Sequence, residues 1–419
     1  MAKYIFLSGM YFPRSSANGV CCKNIVDALI QNGDEVTCIV NEDITRTNEE
    51  IVDGARVIRV KARLQYRLME WCDYNRETTV TKLIKVIAGI INKMQLFIMS
   101  PWWPRISPFY TRRFYKAAKK LIVQEKYNAI ICAYTPIDTL YAGYLLKKEF
   151  PQIRYIPYYL DALAGGWGPT IWSKEKIDSR TRGLESRIDE IADFVISMQS
   201  SLTYHNAYPL SNSDKINRYF LDVPTFLPKS GEESTISNKK NSGIIRVVYC
   251  GSIHFPDRDP RPLLNHFIPI CNNHNVELVF IGSSNCPNIF YDYSLKANHK
   301  IRTLGQMAHE KAMEYLESAD YLINIGSTNP NTVTCKIFEY MQFRKPIIST
   351  YKIGNEPSIP YLEKYGCYFL LNENDDCDFE KHNKELSDFI MSKHQINDQD
   401  LSQTFYLNTP QAVIDLLNK

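Results

Sequence analysis

At 419 residues the chain is too long for one typical core, and roughly two to three domains follow from length alone. Hydrophobic content of 44% with 23% charged residues is that of an ordinary soluble chain, and an excess of only three basic over acidic side chains argues against nucleic acid as the main ligand. Eleven cysteines, including adjacent Cys21 and Cys22 but no C-x-x-C and no Cys/His cluster at zinc spacing, read as reduced thiols of a cytoplasmic protein.

The N-terminus, MAKYIFLSGMYFP, lacks a basic region followed by a long apolar core and a small-residue cleavage site. It reads as a first strand, Tyr4 to Ser8, rather than a secretory signal. A loop with Gly9, Pro13 and Gly19 follows, then a helix from Cys21 to Gln31, a Gly33 stop and a strand from Glu35 to Val40. Leu83 to Pro104 is apolar but interrupted by Lys85, Asn92, Lys93 and Gln95, so it does not read as a full membrane span. The Trp102-Trp103 edge, with Arg112, Arg113, Lys116, Lys119 and Lys120 beyond it, suits a helix lying on an anionic bilayer surface. An insertion of about 66–115 packed on its own domain explains the stretch equally well.

Further along, Asn128 to Tyr134 is a strand, Ile137 to Phe150 a helix and Arg154 to Tyr159 a strand ending at Asp161. Arg180 to Ile191 is a charged helix, and Asp193 to Met198 the strand after it. The polar stretch 228–243 has the composition of an exposed linker. It separates an N-terminal domain, 1–227, from a C-terminal domain, 244–400, with a helical segment at 401–419. The second domain repeats the first: strand Ile244 to Tyr249 ending at Gly251, helix Arg261 to Asn272 and strand Val276 to Ile281 ending at Gly282. Then come strand Ile301 to Gly305, helix His309 to Ser318, strand Tyr321 to Ile325 and, last, a helix from about Thr409 to Leu417. Apolar strands without polar alternation mean sheets covered on both faces, hence two doubly wound parallel α/β domains, which bind ligands outside the carboxyl ends of their strands.

The segment TVTCKIFEYMQFRKPIIS, Thr332 to Ser349, concentrates the chemistry. Lys336 and Glu339 lie three apart, so a helix projects them from one face beside an N-terminus whose free N–H groups attract phosphate. A solvated surface pair is the plainer reading. The context YCGSI, VFIG, RTLGQ, ADYLINIG and KIFEYMQFRKPII favours the first: it resembles the GT-B glycosyltransferases, in particular the large retaining family 4, glycosyl transferases group 1, of the bacterial polysaccharide-synthesis type. The resemblance covers nearly the whole chain, most closely about 244–350.

It implies two Rossmann-like doubly wound domains facing a central cleft, with nucleotide diphosphate sugar on the C-terminal domain, a carbohydrate or lipid-linked glycan acceptor on the N-terminal domain, and no metal or other cofactor. Sugar transfer builds charge on the departing phosphate, for which Arg258 and Lys336 are the candidate cations. Glu339 resembles the glutamate that accepts the ribose hydroxyls, a task suited to an acceptor-only carboxylate. Where many members carry a second glutamate, this chain has Asn331. Thr332, Val333 and Thr334 follow it, with Thr334 a candidate helix cap. Gly251 and His254 complete the donor side. Gly19 corresponds to the small residues of the family's first loop. Asp161 is the candidate acceptor-side carboxylate, with Asp138 behind it.

Asp257-Arg258-Asp259 matches a D-x-D metal motif of another glycosyltransferase fold, but the pattern is short and this architecture does not call for it. The retaining mechanism needs no enzyme nucleophile. The competing readings are a nucleotide-sugar epimerase on the same fold and a noncatalytic sugar-nucleotide-binding protein.

Overall fold

The computed structural model describes every residue except 10, 12–16, 76–77, 167, 170, 228–242, 257, 327, 331–332, 375–377, 395 and 397–399. The chain divides into unit one, Met1–Pro224 with Leu407–Lys419, and unit two, Thr225–Tyr406.

Unit one is built on β1 (Lys3–Leu7), β2 (Glu35–Asn41), β3 (Glu49–Val52), β4 (Ala55–Val60), β5 (Ala129–Tyr134), β6 (Arg154–Tyr159), β7 (Val195–Met198) and β8 (Arg218–Leu221). Their order is β3-β4-β2-β1-β5-β6-β7-β8, parallel throughout except for the β3–β4 edge. Central strands such as β5 are buried at nearly every residue because helices cover both faces, whereas β4 buries alternate residues near the sheet edge. The helices are α1 (Ala17–Gln31), α2 (Leu64–Tyr74), α3 (Thr79–Met99), α4 (Pro108–Gln124), α5 (Ile137–Glu149), α6 (Lys174–Asp189) and α7 (Leu202–Ala207). Tyr110 and Phe114 of α4, with Leu140 and Leu146 of α5, close the core over β1 and β5.

Unit two carries β9 (Ile245–Cys250), β10 (Val276–Ile281), β11 (Ile301–Thr303), β12 (Tyr321–Ile325), β13 (Ile347–Tyr351) and β14 (Tyr368–Asn372), all parallel, in the order β11-β10-β9-β12-β13-β14. Its helices are α8 (Arg261–Asn273), α9 (Pro287–Lys296), α10 (His309–Ser318), α11 (Lys336–Met341), α12 (Ile359–Tyr365), α13 (Phe379–Met391) and α14 (Leu401–Thr404). Phe267, Leu278, Phe280 and Ile323 centre its core. The last helix, α15 (Pro410–Leu417), returns to unit one, so 401–419 is not a single segment.

Two boundaries differ from the sequence reading in ways that matter. Helix α1 begins at Ala17, one turn before Cys21, so Gly19 is a buried helical residue rather than a loop residue. Helix α6 begins at Lys174, where the Ser173 hydroxyl accepts from the Lys176 amide and caps a polar first turn that carries no apolar periodicity. All of the seam at 228–243 except Gly243 lies outside the described residues.

Candidate functional site

In unit two the strand order reverses direction between β9 and β12, the switch point at which doubly wound sheets open a crevice beyond their carboxyl ends. Gly251 follows β9 and Gly282 follows β10. The Gly251 amide donates to the Ile281 carbonyl at 2.7 Å. A Cβ on Gly282, whose φ is +132°, would stand 2.1 Å from the Gly251 oxygen, so these two loops touch backbone to backbone. A Cβ on Gly251 would meet Lys336 Cε at 2.7 Å and the Tyr249 hydroxyl at 2.9 Å. The Lys336 stem is therefore laid across Gly251, which keeps its ammonium at the switch point.

Helix α11 is fastened there by Tyr340, one turn beyond Lys336. Its hydroxyl accepts from the Cys250 amide and donates to the Cys250 carbonyl, each at 3.1 Å. Arg258 donates to the Ser252 carbonyl at 3.4 Å. Its neighbour Arg261, not Arg258, pairs with Asp259, at 2.6 Å, and among the described residues no carboxylate pairs with Arg258. Burial pushes the Tyr249 phenol up, against the pull of Arg258 and Lys336. Burial also raises the Cys250 thiol, with Lys336 opposing and Glu339 adding to the rise. Arg258, Lys336 and Glu339 thus all bear electrostatically on the end of β9. Among the described residues no carboxylate pairs with Lys336 and no cation with Glu339.

Other sequence candidates resolve differently. Lys345, near the end of the same motif, donates to the carbonyls of Leu316, Glu317 and Ala319 and so caps α10. The Val333 side chain is buried, leaving only its backbone for a ligand. Thr334 is not the helix cap; Cys335 occupies that position without a side-chain hydrogen bond. His254 is exposed and contributes its carbonyl to the Arg258 amide at 2.9 Å. Asn331, Thr332 and Asp257 lie outside the described residues.

In unit one, Asp161 follows β6 and accepts from the Asn18 side chain at 2.6 Å. Burial raises its carboxyl above the ordinary range, with the Asn18 bond opposing. Gly19 sits beside Asn18 in α1, so its backbone belongs to the helix that positions Asp161. Asp138 has a different job: fully buried, it accepts from the Ser107 amide, the Thr111 hydroxyl and Arg63, and pins α4 to α5. At this sheet's own switch point, between β1 and β5, lies a cavity of about 400 Å³ lined by Gly9, Asn41, Asp43, Arg59, Tyr66 and Pro136 among others. Arg59 and Asp43 are buried there, and each keeps one polar atom without a partner (an Arg59 terminal nitrogen and Asp43 Oδ2). The sequence reading missed this cavity. The strand-end run Asn41-Glu42-Asp43, three polar residues just beyond an apolar strand, is a signal that could have pointed to it.

Residues 245–387 match the model of the family described as glycosyl transferases group 1. No curated protein matches the chain in sequence. Solved structures share its fold at low identity. Sucrose-phosphate synthase from Thermosynechococcus elongatus is 14% identical with a TM-score of 0.59, covering 100% of both chains. WaaG, a glycosyltransferase involved in lipopolysaccharide biosynthesis, is 12% identical with a TM-score of 0.54, covering 99% of both. Anabaena HepE in complex with UDP and glucose is 13% identical with a TM-score of 0.55, covering 99% of this chain and 95% of that one. The fold is GT-B, with two Rossmann-like units.

Proposed function

We propose that the protein, whose C-terminal unit carries a glycosyl transferases group 1 domain, transfers a sugar from a nucleotide diphosphate sugar to a carbohydrate or lipid-linked glycan acceptor, with retention of configuration, in cell-surface polysaccharide synthesis. The observation that carries this reading is the Lys336 stem across Gly251, beside Arg258 and one turn before Glu339, at the switch point of unit two. A diphosphate placed there meets two cations that no carboxylate among the described residues neutralises. In the reaction the bond from the anomeric carbon to the β-phosphate oxygen breaks, the acceptor oxygen bonds to that carbon on the same face, and the acceptor proton leaves with the departing phosphate. Lys336 and Arg258 stabilise the charge that grows on that phosphate, so the proposal assigns no step to a metal. Glu339 takes the ribose hydroxyls and Asp161 orients the acceptor hydroxyl.

A panel of nucleotide sugars screened by thermal shift tests the reading, since a true donor raises the melting temperature by mass action. NMR of the products then separates transfer from epimerisation, which would isomerise the donor without any acceptor. Glu339→Ala should weaken nucleoside diphosphate binding about tenfold, the loss of roughly one charge-assisted hydrogen bond, with little change in melting temperature. Unchanged affinity by calorimetry would contradict its role.

We further place the protein at the inner face of a membrane. Among the described residues no helix is long and apolar enough to cross a bilayer. Yet α3 leaves Leu83, Val86, Ile87, Ile90, Met94 and Phe97 exposed, with Trp102 beyond it at 65% exposure. Trp103 is only half-exposed, so α3 rather than the tryptophan pair supplies the apolar face. Ile90→Glu combined with Phe97→Glu should reduce cosedimentation with anionic vesicles several-fold. Equal sedimentation of variant and parent defeats the placement.

A further inference from the structure

We propose that a second cavity of unit one, walled by α2, α3 and α4, is a binding site for the phosphate group of an amphipathic phosphate ester. The cavity measures about 440 Å³ and is lined by Arg63, Arg105 and Arg113, while Gln65, Gln95 and Ser107 supply uncharged polar wall. Arg63 pairs with Asp138, whose other oxygen is taken by Ser107 and Thr111. Arg113 donates to the carbonyls of Lys61 and Ala62, and Arg105 reaches Gln95 at 3.5 Å. Three guanidiniums and one carboxylate leave two positive charges unmet among the described residues.

Of these two, Arg113 is exposed and Arg105 half-buried. Burial, and after it the nearby Arg63 charge, pulls the Arg105 guanidinium below its ordinary range. Arg63 Nε is buried with no hydrogen-bond partner. Two cations held together at a partly buried position are relieved by an oxyanion, and the guanidinium fork matches the spacing of phosphate oxygens. Ser107, whose side chain makes no cap bond, opens the 17-residue helix α4, whose Ser107 and Thr111 amides are already taken by Asp138 and the Ser107 carbonyl and whose first residue, Pro108, has none.

The rim decides what else the ligand carries. Leu64 is 63% exposed and Phe109 78% exposed, and on α3 the residues Met94 and Ile98 next to Gln95 are exposed as well. Inorganic phosphate gains nothing from that rim, whereas an alkyl chain buries apolar surface against it. The site thereby makes the acceptor of the proposed transfer a phosphate-bearing amphiphile, and in that respect it rests on the sugar-transfer reading. Binding does not, so a chain that turns over donor but fails to bind sinks this inference alone.

Calorimetric titration of dodecyl phosphate, below its micellar concentration, into the full chain is the test. Saturable binding should weaken at least tenfold in Arg105→Ala with Arg113→Ala, and less in Arg105→Lys. Inorganic phosphate should bind at least tenfold more weakly than dodecyl phosphate, and Phe109→Ser should weaken the dodecyl ester alone. Undiminished binding by the double variant overturns the proposal. So does equal affinity for neutral dodecyl dimethylamine oxide, or for inorganic phosphate. Should the double variant melt early, the Phe109→Ser titrations with dodecyl and inorganic phosphate decide the matter, because that side chain stands in solvent and its removal leaves the fold intact.

Discussion

Lys336→Ala should lower turnover by about 10² to 10³ while leaving nucleoside affinity within about threefold, the signature of a cation that acts on charge developing in the transition state. Its position argues for this outcome. The stem crosses Gly251 because no Cβ stands in the way, and Tyr340 locks the next turn of α11 to Cys250, so the ammonium is held before any ligand arrives. Such preorganisation costs nothing when charge appears on the leaving phosphate. Steady-state kinetics with the donor, together with calorimetry using nucleoside and nucleoside diphosphate, separate the two effects. Equal losses for nucleoside and diphosphate would mean that Lys336 does not meet the phosphate.

Asp161→Asn should cost about 10²-fold or more in kcat/KM and reshape its pH profile. The ionised carboxylate is the form that accepts a hydroxyl proton or hydrogen bond. Because burial raises this carboxyl, the parent rate should fall as pH drops through that raised value, and the variant should lack that limb. Stability carries the opposite sign. A folded-state value raised above the unfolded one stabilises the protein below the unfolded value, and that contribution is lost as pH rises through the folded value. Asp161→Asn, still able to accept from Asn18, should therefore gain stability relative to the parent at about pH 8 and lose that advantage near pH 4. Denaturant melts at the two pH values check the sign, and a variant with parent-like kinetics would remove Asp161 from the site.

What the sequence made legible was local. Strands such as β5, β6, β10 and β12 are buried on both faces, so each writes a continuous apolar run, and their order in two βαβ series led to the parallel sheets that the structure contains. Lys336 and Glu339 were readable because a three-residue spacing places both on one face of a helix. Tyr340 was not, since its task depends on Cys250, 90 residues away. The start of α1 was hidden because its first turn holds Asn18 and Gly19, both poor helix formers, and the continuous apolar period begins only at Cys21. The two cavities described above were hidden for the same reason as Tyr340: one gathers residues from Gly9 to Pro136, the other joins Arg63 at the start of α2 to Arg105 and Arg113 around α4.

The cysteines carry a practical consequence. Ten are described, all as free thiols, and eight of them are buried; only Cys250 and Cys335 reach the surface in part. Those two are the chain neighbours of Gly251 and Lys336. With Cys377, which lies outside the described residues, replaced by serine, a maleimide added to the folded protein would thus modify the edge of this crevice first among the described thiols, and a bound nucleotide would slow that alkylation, giving an occupancy footprint that needs neither an acceptor nor turnover.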